Sequence, residues 1–323
     1  MTTHSPNAQV LIADIPGLAP FARKATLLRP TAGAPGLHDS SVAGPMLWPA
    51  AEAWPMCRGP HLAEGRDRLT DTDRETMQRI DRDMRARRAG KSPAAWEITE
   101  EEADIQSRIM DGAGALDMIT WERVRRVPVS SVDGVPMVAV LQLHARDVPA
   151  AVWPEGMDVL QVLWCPKDHS GLPGQPHYGG PAVEMRHRSA ATVTAVLVPP
   201  VSDDADTRYV PRPCVLGPVE VTDLPDRDEL PEDLVDAQDA WADRQGIELH
   251  RSPACHEGWK VGGWPSWHST DLVPVDCSCG ATARLFLTVD SGGDAGVNVG
   301  RFGELRVFTC PVDATHPLRL NIQ

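Results

Sequence analysis

Four short elements recur in the same order in the two halves of this 323-residue chain, and no other feature constrains its fold so strongly. Gly44-Pro45-Met46-Leu47-Trp48-Pro49 is echoed by Gly262-Gly263-Trp264-Pro265-Ser266-Trp267, and Trp54-Pro55-Met56-Cys57 by Pro274-Val275-Asp276-Cys277. Ala139-Val140-Leu141-Gln142-Leu143 matches Leu285-Phe286-Leu287-Thr288-Val289. Leu160-Gln161-Val162-Leu163-Trp164-Cys165-Pro166 matches Leu305-Arg306-Val307-Phe308-Thr309-Cys310-Pro311. Gln142 and Cys165 are 23 positions apart, Thr288 and Cys310 22. Even the opening strands correspond, Leu27-Leu28-Arg29-Pro30 against Val215-Leu216-Gly217-Pro218. Aliphatic and β-branched runs closed by Gly or Pro read as strands. The expected fold is α+β and mainly β: two antiparallel β units from an internal duplication, packed about a pseudo-twofold axis because each covers the other's apolar surface.

The expected organisation is an N-terminal extension over 1–23, a first β-rich repeat over 24–200, and an acidic linker with the second repeat over 201–323. A helical insertion at about 65–126 lengthens the first copy. There the charge is dense and balanced, Met77, Ile80 and Met84 fall at helical spacing, and Thr99 with Glu102 has capping-box spacing before Ile105 and Ile109. Arg82, Arg85, Arg87 and Arg88 could face a partner, although the interleaved Asp81 and Asp83 favour a solvated helix. A further strand is expected over His187–Val198 and a short helix over Pro231–Arg244, with Leu234, Ala237 and Trp241 inward. Pro (30) and Gly (26) are abundant, so elements should be short. Pairs such as Trp48-Pro49 and Trp264-Pro265 mark extended backbone.

With 31 basic and 45 acidic side chains the formal charge is −14. That balance lacks the basic footprint of a nucleic-acid binder or of a protein docking on anionic membranes. No uncharged apolar run reaches the ~18 residues needed to cross a bilayer, and Met1–Asn7 does not resemble a secretion signal. A cytoplasmic protein is expected. Seven cysteines without a secretory context read as thiols or metal ligands rather than disulfides.

Two sets of residues have metal-ligand chemistry. In the second half Cys277, Cys279, Cys310 and His316 offer three thiolates and an imidazole, which suit closed tetrahedral zinc. In the first half Cys57 and His61 could meet Cys165 and His169 as a Cys₂His₂ set; a single site shared by both halves, or buried thiols without metal, remain as alternatives. Cys214 and Cys255 read as buried small residues. Cys255-His256 would be a nucleophile and base only if neighbours in sequence pointed together. Asp203–Asp206 lacks the spacing of a calcium loop. Trp48, Trp54, Trp264 and Trp267 either fill the core or line a cleft between the copies. No Gly-x-Ser-x-Gly elbow, His-Glu-x-x-His helix or phosphate loop is present.

These strings resemble the YwqG-like family, a bacterial domain of unknown function, in its long actinobacterial form. The residues that carry the likeness are Gly44, Pro45, Trp48, Trp54, Pro55, Gln142, Gly156, Gly262, Gly263 and Pro265, with Trp164-Cys165-Pro166-Lys167-Asp168-His169 the most specific string. The likeness spans roughly 24–323 and implies a fold without implying a reaction. Ala43-Gly44 stands where the family has Gly-Gly, and Thr288 where it has Gln. The functional expectation is a non-enzymatic protein-binding module stapled by structural zinc, with an acidic surface suited to a basic protein partner. The alternative is a metal-dependent hydrolase or small-molecule enzyme with a site between the repeats, where Cys57, Cys165 and His169 would leave one position to water.

Overall fold

The computed structural model describes residues 8–88, 98–247, 249, 252, 254–267 and 272–323, which leaves Met1–Asn7 and the link between the two insertion helices outside the described residues. The chain divides into two compact units, one made of residues 1–58 and 131–323 and the other of Gly59–Ser130.

The first unit is built on two six-stranded antiparallel sheets. Its strands are β1 (Arg23–Leu27), β2 (Pro30–Ala32), β3 (Ser41–Val42), β4 (Val138–His144), β5 (Val159–Trp164), β6 (Val183–Arg188), β7 (Cys214–Leu216), β8 (Val219–Asp223), β9 (Lys260–Gly262), β10 (Arg284–Asp290), β11 (Glu304–Thr309) and β12 (Arg319–Ile322). One sheet runs β2-β7-β3-β4-β5-β6 and the other β8-β1-β9-β10-β11-β12. Strand for strand these are the same sheet. The β-rich duplication read from the sequence is therefore present, with one addition: the opening strands are exchanged. β1 pairs with β9 of the second half, and β7 pairs with β3 of the first.

The likeness extends to single residues. Gln142 opposes Gln161 across β4 and β5, and Thr288 opposes Arg306 across β10 and β11. Trp48 and Trp267 each lie beneath a guanidinium, Arg188 at 4.2 Å and Arg306 at 5.2 Å from the ring centre. Ala43 (φ +49°), directly after β3, and Gly262 (φ +75°), the last residue of β9, hold the same left-handed position. Only glycine takes that conformation without a steric cost, so Ala43 is the strained version of a Gly.

The core between the sheets draws on both halves. Val42, Leu160, Val162 and Trp164 meet Val261, Leu287, Leu305 and Val307, all nearly or wholly buried. Each such aliphatic side chain contributes about 1.5–3 kcal/mol of burial. A second cluster joins helix α1 (Ala8–Asp14) and the turn Pro16–Phe21 to Trp241 and Ala242 of a later helix, Glu232–Gln245; Trp241 Nε1 donates to Asp14 at 2.8 Å. The sequence places Trp241 inward correctly. The strand expected over His187–Val198 occupies instead Val183–Arg188 and gives way to a short helical turn at Ala190–Thr192.

The Gly59–Ser130 unit is more than the helical insertion expected. It contains helices α2 (Asp71–Arg88) and α3 (Glu100–Met110), the second capped by Thr99 and Glu102 as the spacing predicts, but also a three-stranded antiparallel sheet of 61–68, 122–129 and 115–117. Ion pairs bind this sheet, Asp67 to Arg123 and Arg125 and Arg66 to Asp117, so no apolar alternation announces it. Of the insertion's arginines, Arg87 is held by Glu102 and Arg85 by Asp81. Among the described residues no helix is long and apolar enough to cross a membrane.

Candidate metal centres

In the second half the ligand set grows out of a tight turn. Asp276 and Thr282 bridge as an antiparallel pair, the amide of Cys277 donates to the Ala281 carbonyl at 2.9 Å, and Gly280 (φ +84°) closes the reversal. Cys277 and Cys279 are thereby held at one end of the hairpin leading into β10. Cys310 follows the last residue of the neighbouring β11, and His316 comes from the next turn, where Asp313 Oδ1 accepts from the Thr315 amide at 2.8 Å.

The four ligand atoms lie within 4.8 Å of one another. His316 Nδ1 is 3.3 Å from both Cys277 Sγ and Cys310 Sγ, and Cys279 Sγ is 3.6 Å from Cys310 Sγ. Bonds of about 2.3 Å to sulfur and about 2.0–2.1 Å to nitrogen at the tetrahedral angle give S···S edges near ~3.8 Å and S···N edges near ~3.5 Å. The observed separations are close to those edges, and the sulfurs are well beyond the ~2.05 Å of a disulfide. All seven cysteines are free.

The electrostatics favour the ligating state. Burial alone would raise the Cys310 thiol, but the amides of Asp313 and Val312, His316 and Cys277 together bring it down to about 6. The amide of Cys279 pulls Cys277 below its ordinary value. Cys279 moves the other way: the Ala281 amide pulls it down, but the facing Cys310 and Cys277 thiols outweigh that and raise it. His316 is raised, first by Cys310. With Nδ1 turned to the sulfurs, its Nε2 lies 3.7 Å from Asp313 Oδ2, the placement of a carboxylate that orients a ligating imidazole. Asp313 and the Val312 amide, 3.4 Å from Cys310 Sγ, were not among the residues singled out from the sequence. The Asp-x-x-His spacing beside a ligand was the available signal.

In the first half Cys57, Cys165 and His169 come together within the larger unit. Cys57 Sγ is 3.6 Å from His169 Nε2, and the Cys165 thiol is raised, first by a hydrogen bond with the Cys57 thiol and then by burial. Cys165 and Cys310 occupy the same place after β5 and β11. Cys57 pairs with Val135, as Cys277 bonds across its turn to Ala281. The Gly59–Ser130 unit is thus inserted where the second half has only Ser278-Cys279-Gly280, so Cys279 has no counterpart. His61, the remaining residue of the expected set, is buried within that inserted unit at the start of its first strand.

The other candidates have structural explanations. Cys214 is fully buried. Cys255 Sγ lies 3.6 Å from the Pro265 carbonyl and burial drives its thiol up, the reverse of an activated nucleophile. Asp204 pairs with Lys167 and Asp206 with Arg208. Gln142 is saturated: its amide accepts from Leu47 N and Gln161 Nε2 and donates to the Leu37 carbonyl. The four tryptophans fall into two groups. Trp48 and Trp54 touch at 4.9 Å among Met46, Met137 and Leu163. Trp264 and Trp267 border a separate cavity. A comparison with family models and one with curated proteins each return no match to this chain.

Proposed function

We propose that this chain is a zinc-clipped interaction module of YwqG-like type, non-enzymatic and cytoplasmic, whose acidic surface suits a basic protein partner. The observation that carries the zinc reading is the Cys277, Cys279, Cys310 and His316 group, four soft ligands with separations close to tetrahedral edges. A closed four-ligand site ties the hairpin turn to the end of β11 and adds folding energy without activating water. Cys57, Cys165 and His169 are the corresponding clip of the first half. In the sequence, Cys57 and His61 repeat the Cys-x-x-x-His interval of Cys165 and His169.

Support for the partner reading comes from charge. A net −14 steers basic proteins towards the surface and repels nucleic acid. Elemental analysis of tag-free protein, with thiol titration before and after chelation, tests the clip. Close to one or two zinc ions per chain with thiols released by chelation supports it; no metal with freely titrating thiols refutes it. Affinity capture with the intact chain and with charge-neutral variants of α2 tests the partner. A specific basic protein that those variants no longer capture supports the reading, while no specific capture by any form counts against it.

A further inference from the structure

A cavity of about 420 Å³ opens within the larger unit between the start of β1, the segment after β9, the hairpin before β10 and the end of β11. Its walls are apolar: Trp267, Leu285, Phe308 and Val275 pack together there, and Trp264 adds a second indole. That size and lining match a small-molecule pocket. Its polar groups are few. Arg23 lies over the Trp264 ring at 3.2 Å, and among the described residues its side chain makes only a long hydrogen bond of 3.4 Å to the Gly263 carbonyl. Arg284 is exposed on the rim and has no acidic partner among the described residues. The two guanidiniums feel one another: after burial, Arg284 is the largest influence lowering the proton affinity of Arg23.

Both guanidiniums belong to the cavity wall, so an anion entering it is drawn to two cations. Trp267 is only 7% exposed, and among the described residues neither its indole N–H nor Glu229 Oε2 has a well-formed hydrogen bond, although the N–H is close enough to pull on the Glu229 carboxyl. A buried donor short of a good acceptor is costly, and a ligand acceptor would recover that cost. Burial pushes the Glu229 carboxyl up to about 7, so near neutrality it does not fully cancel the two cations.

We propose that this cavity binds a small aromatic carboxylate, its charged group between Arg23 and Arg284 and within reach of the Trp267 N–H, its ring against Trp264 and Phe308. A guanidinium matches a planar carboxylate with two parallel donors, and the indole faces give a flat slot. None of the four clip ligands lines the cavity, although the hairpin and the end of β11 that the clip would tie also wall it, and the site extends the module reading to ligand binding.

The test uses the full chain and three probes, naphthalene-2-carboxylate, its neutral carboxamide and inorganic phosphate, followed by tryptophan fluorescence and calorimetry. The carboxylate is expected to bind saturably and at least tenfold more tightly than the carboxamide. Arg284→Gln, on the exposed rim, should weaken it at least tenfold with unchanged circular dichroism, and Arg301→Gln, an exposed control, should not. Absence of saturable carboxylate binding, equal affinity for the carboxamide, or indifference to Arg284→Gln overturns the proposal. Displacement of the carboxylate by millimolar phosphate overturns the ligand class, because the site would then read charge alone.

Discussion

Val140 and Phe286 stand at the same point of a repeated unit: each is the one extra residue in a bulged ladder, Val140 between β4 and β5 and Phe286 between β10 and β11. A bulge inherited by both halves is functional geometry, because it resets which face the following side chains take. Deleting Phe286 would send Arg284 and Leu285 to the wrong faces. Phe286→Ala removes only part of one core contact. The deletion is therefore expected to lower the urea midpoint far more than the substitution does, and equal losses would show that the bulge sets nothing.

Gly263 faces the carboxylate of Asp223, and a Cβ there would come within 2.2 Å of Asp223 Oδ2. That oxygen accepts from the buried Lys260 ammonium at 3.0 Å and from the Trp264 amide at 2.7 Å. Gly263→Ala should therefore break a fully buried ion pair and cost about 3–5 kcal/mol in chemical unfolding. Ala43→Gly, which relieves a left-handed alanine, should change stability by less than about 1 kcal/mol and in the favourable direction.

On the zinc reading, Asp313, whose Oδ2 is 3.7 Å from His316 Nε2, orients the imidazole without being a ligand itself. Asp313→Asn keeps the turn through Oδ1 and is expected to weaken zinc roughly 10–100-fold in a competition with a chromophoric chelator. Zinc per chain at saturation should stay unchanged. An unaltered affinity would remove Asp313 from the site.

Glu229 carries a pH signature. Burial, with Asp226 adding to it, holds its carboxyl at about 7 against the opposing pull of Trp267, Arg23 and Lys260. The folded chain thus takes up this proton more readily than the unfolded one. The stability it contributes is fully present below pH ~4.5 and is lost as pH rises through about 7. Glu229→Gln should be more stable than the parent at pH 8 and nearly equal to it at pH 4.5. Paired urea titrations at the two values decide this, and a difference of the same size at both would contradict it.

Because β1 and β7 are exchanged, neither half carries all the strands of its own sheet. Fragments 1–200 and 201–323 are expected to lack cooperative unfolding when alone and to regain it when mixed. Independent cooperative folding of either fragment would contradict the exchange.

Much of this was legible in the sequence. The recurrence of Trp54-Pro55-Met56-Cys57 as Pro274-Val275-Asp276-Cys277 located the same chain position twice, and the Cys/His candidates came from their corresponding places in the two copies. Thr99 and Glu102 announced their helix because a cap is a local interaction. The exchange of β1 and β7 was not legible, since strand pairing depends on residues some two hundred positions away and an apolar run does not name its neighbour. The sheet of 61–68 and 122–129 escaped notice because ion pairs such as Asp67 with Arg125 hold it in place of an apolar face. The cavity was hidden because Arg23 and Arg284 come to line one wall only after β1 has crossed into the other half's sheet.

That crossing sets a timetable for synthesis. Ala25 pairs with Val221 of β8 and with Gly262 of β9, so the first strand made waits 196 residues for its first partner. At about 5–20 residues per second, the nascent chain trails an unmatched strand for roughly ten to forty seconds. On crowded polysomes the same edge is open to a neighbouring nascent chain. The short length of β1 and the charges of Arg23 and Lys24 then act as guards, keeping a strand destined for an internal partner from being taken by another molecule.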